Sequence, residues 1–272
     1  MIFIKQQYIL FSNYTPGNTF MNNFFKIIFL VIAIFCIADL QAQVKKTTVK
    51  KANTTSAKPA KTKLPSAKST IKIQPLSDTA VTRIKIITNL GEMVVRLSNK
   101  TPKHRDNFIK LVKNHFYDSL LFHRIINTFM IQGGDPESKN GLSGELLGEG
   151  DAGYTIPAEF DSTLYHKRGA LCAARTDNPE MASSGCQFYI VQGKKYSNGQ
   201  LNNLAIKNGV YFSPAKRMTY KMVGGTPQLD MRYTVFGEVE SGIEVVDKIA
   251  LTPRDTNNRP LTDIRMQMEI VE

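Results

Sequence analysis

Arg124 and Gln132 are the two residues of this 272-residue chain whose types and spacing most directly suggest chemistry. They lie within residues 121–135, a mainly apolar stretch that places Phe129 and Met130 between them. A charge among apolar side chains needs a partner or a task, because burying it unpaired is costly. Arg stays protonated and presents a rigid fork of donors. The stretch therefore predicts a cationic hydrogen-bond donor beside an apolar pocket.

Two short strands must position these side chains. The apolar runs 121–126 and 129–131 have strand length and lie just before the turn signal of two consecutive glycines. We expect the two runs to pair or to bend. A plainer interpretation of each residue alone stays open, with Arg124 on an exposed strand face and His123 as a satisfied core imidazole.

The order of these residues closely resembles the signature of the cyclophilin family of peptidyl-prolyl isomerases. The matching positions are Phe122-His123-Arg124, then Phe129-Met130, then Gln132-Gly133-Gly134-Asp135. Similarity to bacterial members continues at 154–160, 166–175, 184–190, 229–230 and 233–239. The resemblance covers roughly residues 79–272. It implies a mainly β fold, a closed eight-stranded antiparallel β-barrel capped by two α-helices with a short helical insertion.

The local patterns agree with that fold. Many short strands without a βαβ rhythm favour an antiparallel barrel. Alternating apolar residues predict a hairpin over 84–97 and a closing strand over 264–270. Thr101 and Pro102 predict the cap and first residue of an amphipathic helix that ends near Asn114.

Two further helix signals lie later in the chain. Residues 193–228 depart from a minimal cyclophilin as an insertion of a few dozen residues, and two short helices fit there. We expect the first to end at Gly209 and the second to begin at Ser213 and Pro214. Ser241 and Glu244 predict a capping box for a last helix.

The N-terminal part divides into two segments ahead of an isomerase domain over 79–272. Residues 1–42 are interpreted as an extension and a signal peptide that starts at Met21 and is cleaved after Ala42. We therefore expect export to the periplasm or the exterior, with an uncleaved N-terminal membrane anchor as the alternative. Residues 43–78 have almost nothing to bury and predict a disordered linker rich in Lys, Thr and Ala.

The net charge of +12 is concentrated in that linker and does not indicate nucleic-acid binding. Residues 43–74 hold nine Lys and no acid, whereas residues 75–272 hold 24 basic and 22 acidic residues. The linker could make weak contacts with anionic surfaces. The folded part is nearly neutral, so we expect no nucleic-acid partner, and we expect a monomer.

No cofactor or metal is expected. The glycine-rich loop 141–153 misses the spacing of a calcium loop, and it is interpreted as irregular backbone. The chain has neither an H-E-x-x-H motif nor a G-x-S-x-G elbow, which argues against a hydrolase. Cys172 and Cys186 form no C-x-x-C pair and are interpreted as buried free thiols, with a disulfide between them as the open alternative.

The activity that the resemblance implies needs no nucleophile. Rotation about an X-Pro bond must overcome a barrier of ~20 kcal/mol and takes ~10 to 100 s uncatalysed. Rotation frees the lone pair of the prolyl nitrogen, so a donor aimed at it stabilises the twisted transition state more than the planar ground state. Arg124 is the expected catalytic residue, and Gln132 is expected to orient it.

The remaining expected site residues would bind the proline-containing polypeptide substrate. Phe129, Met130 and Leu229 would supply apolar walls, each of which could instead be ordinary core. Tyr189 occupies the position of the family's pocket phenylalanine. The resemblance assigns substrate contacts also to His123, Ala174, Arg175, Gln187 and Tyr233.

Two positions depart from the family pattern. Gln228 stands where the family has an aromatic residue, and Tyr233 replaces a histidine that often lines the proline pocket. Loss of the aromatic ring at 228 should weaken inhibitors of the cyclosporin type without abolishing isomerisation. Nanomolar inhibition of the purified domain by cyclosporin would contradict this prediction.

Two functions remain open at this point. The first is an exported peptidyl-prolyl cis-trans isomerase that assists folding proteins. The alternative is a cyclophilin-like module or chaperone that binds Pro-containing peptides with little catalysis. Retention of Arg124 and Gln132 favours the enzyme.

Overall fold

The structure, a computed structural model, describes residues 81–271. The interpreted signal peptide, the linker and their boundaries lie outside these residues. The described chain contains ten strands: β1 Arg83–Thr88, β2 Gly91–Leu97, β3 Arg124–Ile126, β4 Met130–Gly133, β5 Thr155–Ile156, β6 Ala170–Ala173, β7 Ser183–Ser184, β8 Phe188–Val191, β9 Val235–Ser241 and β10 Met266–Val271. It also contains four α-helices: α1 Pro102–Lys113, α2 Asn198–Asn208, α3 Pro214–Met222 and α4 Ile243–Ala250.

Eight of the strands form one antiparallel sheet in the order β10-β1-β2-β9-β6-β8-β4-β3, and β5 pairs with β7. The prediction of a mainly β, eight-stranded antiparallel fold is confirmed. The prediction of a closed barrel is wrong, because the edge strands β10 and β3 do not pair with each other. Strand β3 has three residues, and the chain before it meets the chain before β10 through an isolated bridge, Leu121 to Arg265. Individual backbone hydrogen bonds join these two segments in place of a continuous β-ladder.

The hairpin β1–β2 follows its sequence pattern. Ile84 pairs with Val95 and Ile86 with Met93, and all four side chains are buried. Burying an aliphatic side chain of this size contributes about 1.5–3 kcal/mol. The alternating apolar positions therefore fix which face of the sheet packs on the core.

Helix α1 begins at Pro102 as predicted, but its N-terminus is capped differently from the sequence expectation. Thr101 makes no side-chain capping bond. Instead the Glu159 carboxylate accepts the backbone N–H groups of Lys103 (3.1 Å) and His104 (3.0 Å). The His104 ring also lies 2.7 Å from Glu159 and 3.0 Å from the Ser183 hydroxyl. Ser183 is 1% exposed, so this Ser-His-Glu cluster anchors the helix and is not accessible to a substrate.

The predicted insertion forms α2 and α3, and its two ends touch. Ser213 accepts the N–H of Lys216 at the start of α3, and Gly209 ends α2 with φ of 63°. Gly193 and Gly225 approach so closely that a Cβ on Gly193 would lie 2.4 Å from the Gly225 Cα. The insertion thus leaves and rejoins the sheet through a neck of two glycines. Its apolar cluster is centred on Leu201, Phe212 and Tyr220.

The capping box predicted for the last helix is wrong. Ser241 is the final residue of β9 and pairs with Val94. The N-cap of α4 is Gly242, with φ of 82° and no side-chain capping bond. A Cβ at this residue would lie 2.3 Å from the Glu92 carbonyl oxygen, so the turn requires glycine. None of the helices in residues 81–271 is long and apolar enough to cross a bilayer.

Candidate active site

Strands β3 and β4 bring Arg124 and Gln132 together. Of the two arrangements left open, pairing or bending, the structure has pairing: β3 and β4 are antiparallel, and Arg124 lies directly opposite Gln132. The Arg124 Nη1 donates to the Gln132 Oε1 at 3.1 Å. The side chains that the sequence singled out therefore form one hydrogen-bonded pair on a rigid strand pair.

A chain of hydrogen bonds continues behind this pair. Gln132 Nε2 donates to Gln187 Oε1 at 3.0 Å. Gln187 Nε2 in turn donates to the carbonyl oxygens of Gly148 (2.8 Å) and Gly150 (2.6 Å). The loop interpreted as irregular backbone thus anchors the Gln187 side chain, which in turn holds Gln132. Sequence reasoning missed this role, because a backbone carbonyl has no signature in the sequence.

Arg124 and Gln132 border a cavity of about 220 Å³. This volume is below the ~300–1,000 Å³ of typical small-molecule pockets and suits one ring rather than a whole ligand. The cavity brings together nine of the expected site residues: Arg124, Phe129, Met130, Gln132, Ala174, Arg175, Tyr189, Leu229 and Tyr233. They come from β3, β4, β8 and three connecting segments, so the fold assembles them from distant parts of the sequence.

The Arg124 guanidinium is half-buried at this cavity. Burial lowers the pKa of Arg124 from its ordinary value, and nearby Tyr233 opposes that change. Arginine nevertheless remains protonated in proteins. Among residues 81–271, no carboxylate lies within 4.0 Å of this guanidinium. Its charge is therefore not neutralised by a neighbouring side chain.

Two aromatic rings and a second arginine also line the cavity. The rings of Tyr189 and Tyr233 meet edge to face, with centroids 6.0 Å apart. The Arg175 guanidinium carbon lies 4.8 Å from the Tyr233 ring centre, and its Nε donates to the Arg232 carbonyl at 3.1 Å. Arg175 thus holds Tyr233 in place by a cation–π contact.

Gln187 and His123 do not line this cavity. Gln187 acts on the cavity through Gln132. His123 is 2% exposed, and neither of its ring nitrogens has a hydrogen-bond partner among residues 81–271. The expected contact between His123 and substrate therefore has no support from its position.

Burial lowers the pKa of His123 to about 4; Asp135 opposes the change, whereas Arg124 and Arg259 add to it. The unfolded chain then binds a proton that the folded protein excludes. Stability is unaffected above the ordinary pKa of 6.5, falls as the pH drops below it, and reaches its full loss below about 4. This shift corresponds to roughly 3 kcal/mol.

We expect His123→Gln to reduce the acid sensitivity of folding. Urea unfolding at about pH 7 and about pH 5 should show a drop in the free energy of unfolding that is roughly 2 kcal/mol larger for the wild type than for the variant. The comparison of two pH values cancels any constant effect of the substitution. An equal drop in both proteins would show that His123 is not the group responsible.

Cys172 and Cys186 are free and buried, in agreement with the sequence interpretation. Burial raises the pKa of the Cys172 thiol well above its ordinary value, and it raises the pKa of Cys186 to about 11. Neither thiol is suited to nucleophilic chemistry at neutral pH. Residues 81–271 contain no group of three His, Cys, Asp or Glu side chains that could hold a metal ion.

Known proteins share this fold and much of the sequence. The sequence profile of the family described as cyclophilin type peptidyl-prolyl cis-trans isomerase/CLD matches residues 83–270. A Staphylococcus aureus (strain USA300) relative named for peptidyl-prolyl cis-trans isomerase activity is 38% identical over 192 residues, covering 70% of this chain and 92% of the relative. A relative of the same name from Staphylococcus saprophyticus is 37% identical over 193 residues, with the same coverage.

A solved structure gives the same result. The crystal structure of a Cryptosporidium parvum cyclophilin type peptidyl-prolyl cis-trans isomerase superimposes with a TM-score of 0.54 and 25% identity. The match covers 71% of this chain and 99% of that protein. The profile match, the bacterial relatives and the shared fold lead to one conclusion: the chain belongs to the cyclophilin-type peptidyl-prolyl cis-trans isomerase family.

Proposed function

We propose that Arg124 is the catalytic residue and that it donates a hydrogen bond to the prolyl nitrogen of a twisted X-Pro bond. The observation that carries this proposal is a guanidinium held by Gln132 beside an apolar cavity, without a carboxylate partner in the described chain. The prolyl nitrogen offers a lone pair only while the peptide bond is twisted. A donor at this position therefore stabilises the transition state selectively.

The arginine cannot supply the whole acceleration. Shortening the isomerisation time from tens of seconds to milliseconds requires a rate acceleration of about four orders of magnitude, which lowers the barrier by ~5.5 kcal/mol. One hydrogen bond to a charged group contributes ~1.5–3 kcal/mol. The cavity accounts for the balance, because Phe129, Met130 and Leu229 hold the pyrrolidine ring away from water while the preceding chain rotates.

Proline-containing polypeptides are the substrates we propose. Ala174 and Arg175 border the cavity beside Arg124 and would contact the substrate backbone, and Gln187 would act through Gln132. The Cryptosporidium parvum protein was also crystallised in the presence of the dipeptide Ala-Pro, and that structure matches with a TM-score of 0.50. The volume of the cavity is compatible with one proline ring.

Proteins that fold after export are the client class we propose, on the basis of the signal-peptide pattern in residues 21–42. Mass-spectrometric mapping of the N-terminus of the mature protein tests this part. We expect the chain to begin at Gln43. A mature chain that keeps residues 21–42 would contradict cleavage and favour the anchor interpretation.

A protease-coupled peptide assay tests the catalytic part. Wild-type protein should accelerate the cis-to-trans conversion of an Ala-Pro-Phe peptide, and Arg124→Ala should lose most of that acceleration while still binding the peptide. Equal rates for both proteins would overturn the arginine mechanism. Peptide binding without acceleration by the wild type would favour a binding module.

A further inference from the structure

Tyr189 has a hydroxyl that a phenylalanine at this position would lack, and the structure uses it. The side chain is 5% exposed and its ring borders the cavity. Its hydroxyl lies 2.9 Å from Nε2 of His166, which is fully buried. The polar end of Tyr189 is thus bonded to a buried imidazole, while its ring lines the proline site.

His166 connects Tyr189 to Asp230. Asp230 Oδ1 lies 2.9 Å from the backbone nitrogen of His166 and 3.0 Å from its Nδ1. A carboxylate only accepts hydrogen bonds, so Nδ1 must be the donor. In a neutral imidazole Nε2 is then the acceptor, and the Tyr189 hydroxyl donates to it. The direction of the His166–Asp230 bond is therefore determined, and that of the Tyr189 bond follows for a neutral imidazole.

This chain of hydrogen bonds ends at a residue of the insertion. The Tyr220 hydroxyl, which belongs to α3, donates to Asp230 Oδ2 at 2.7 Å. Tyr220 is fully buried, and its ring packs edge to face on Phe212 and Tyr165. Asp230 directly follows Leu229, a wall of the cavity. One carboxylate thus joins the insertion to both Tyr189 and Leu229.

We propose that Tyr220 of the insertion is a positioning residue of the isomerase, which fixes Tyr189 and Leu229 through Asp230 and His166. The inference rests on the proposed use of the cavity as the proline site. Each buried polar group in the chain is satisfied by its neighbour, and such networks hold their members in one arrangement. Residues 193–228 then set the shape of the pocket in addition to enlarging the domain.

Removal of one hydroxyl tests this proposal. Tyr220→Phe keeps the ring and breaks the bond to Asp230. Tyr220→Phe leaves in place the apolar walls that exclude water and only loosens two of them. The grip on the proline ring then weakens in the ground state and the transition state alike, so KM should rise while kcat stays nearly unchanged. We expect a rise in KM of about two- to tenfold, with kcat within about twofold. This is less than the loss of a whole hydrogen bond to a charged group would give, because Tyr220 acts on the pocket only through Asp230 and His166.

Tyr165→Phe is the matched control. The Tyr165 hydroxyl lies 3.0 Å from the hydroxyl of Thr219, which is on α3 next to Tyr220, and it makes no bond to Asp230. We expect wild-type KM and kcat from it, although both variants lose a hydroxyl from the same aromatic cluster. The aromatic carbon resonances of Tyr189 should shift in Tyr220→Phe and stay in place in Tyr165→Phe.

A double variant tests the connection itself. If the chain acts as a unit, Tyr189→Phe with Tyr220→Phe should raise KM no more than the larger single effect, since coupled sites are not additive. An unchanged KM and unchanged Tyr189 resonances in Tyr220→Phe would overturn the proposal, even if its thermal stability fell. That result is distinct from failure of the proposed function, in which the wild type itself would lack Arg124-dependent isomerisation.

Discussion

Arg124→Ala is expected to lower kcat/KM for X-Pro isomerisation by about 10- to 150-fold. This range corresponds to the ~1.5–3 kcal/mol of one hydrogen bond to a charged group. The affinity for the peptide ground state should change by less than about threefold, because the planar prolyl nitrogen offers no lone pair to the guanidinium. The loss should therefore appear in kcat, as measured by exchange NMR at saturating peptide.

Two further variants sharpen that result. Arg124→Lys keeps the charge and loses the fork of donors. We expect activity between those of the alanine variant and the wild type, because a single ammonium can reach either Gln132 or the substrate. Arg83→Ala removes an exposed strand arginine, paired with Glu240, and should leave kcat/KM unchanged. A fall in peptide affinity that accounts for the whole loss in Arg124→Ala would assign the residue to binding instead.

Gly134→Ala is expected to lower the free energy of unfolding by about 2–6 kcal/mol. The backbone there has φ of 93°, and a Cβ would lie 2.4 Å from the Cys186 carbonyl oxygen. Backbone strain contributes ~1–3 kcal/mol, and overpacking contributes a further ~1–3 kcal/mol. The obstructing atoms are main chain and cannot rotate away. Because Gln187 follows Cys186, the shift should also disturb the amide that holds Gln132.

Gly144→Ala separates the contribution of backbone strain from that of overpacking. Gly144 has φ of 79°, but a Cβ there would meet nothing within 4 Å. Its variant should lose ~1–3 kcal/mol from strain alone and keep full isomerase activity. Urea unfolding of both variants measures the difference, and the rate assay shows whether only Gly134→Ala affects catalysis. Equal losses of stability would mean that the contact with Cys186 relaxes freely.

Local patterns in the sequence predicted most of the secondary structure. Ile84 and Ile86 alternate with charged residues in a way that only one buried face explains, and β1 and β2 have that face. Pro102, Ser213 and Gly209 act within a few residues of their own position, so the helix limits they indicate are correct. The pairing of Arg124 with Gln132 was also accessible, because both strands lie on one short stretch.

The errors share a cause, which is contact between distant parts of the chain. Ser241 looks like a cap, yet pairing with Val94 extends β9 through it and leaves the turn to Gly242. Thr101 is the N-cap residue as expected, but its side chain makes no capping bond, and Glu159 accepts the free N–H groups from more than fifty residues away. The open edge between β3 and β10 depends on where two unrelated segments meet. No pattern within any one of these segments carries that information.

In the active site, too, the sequence indicated the residue types but not the contacts between distant parts of the chain. The resemblance named the residues around the cavity, since their types are specific. It could not show that Gly148 and Gly150 hold Gln187, because the contacts use backbone oxygens. Nor did it show that His166 and Asp230 lie behind Tyr189, because the bond requires the tertiary fold.

The glycine neck of the insertion determines how easily this domain can accommodate insertions of different length. Since Gly193 and Gly225 lie against each other, more than thirty residues can be looped out between them without altering the distance that the main sheet must span. The entropic cost of closing a loop rises only slowly with its length. A longer insertion at this point should therefore change the stability of the main sheet very little. A circular permutant opened within the α2–α3 connection would accordingly keep the register of every strand.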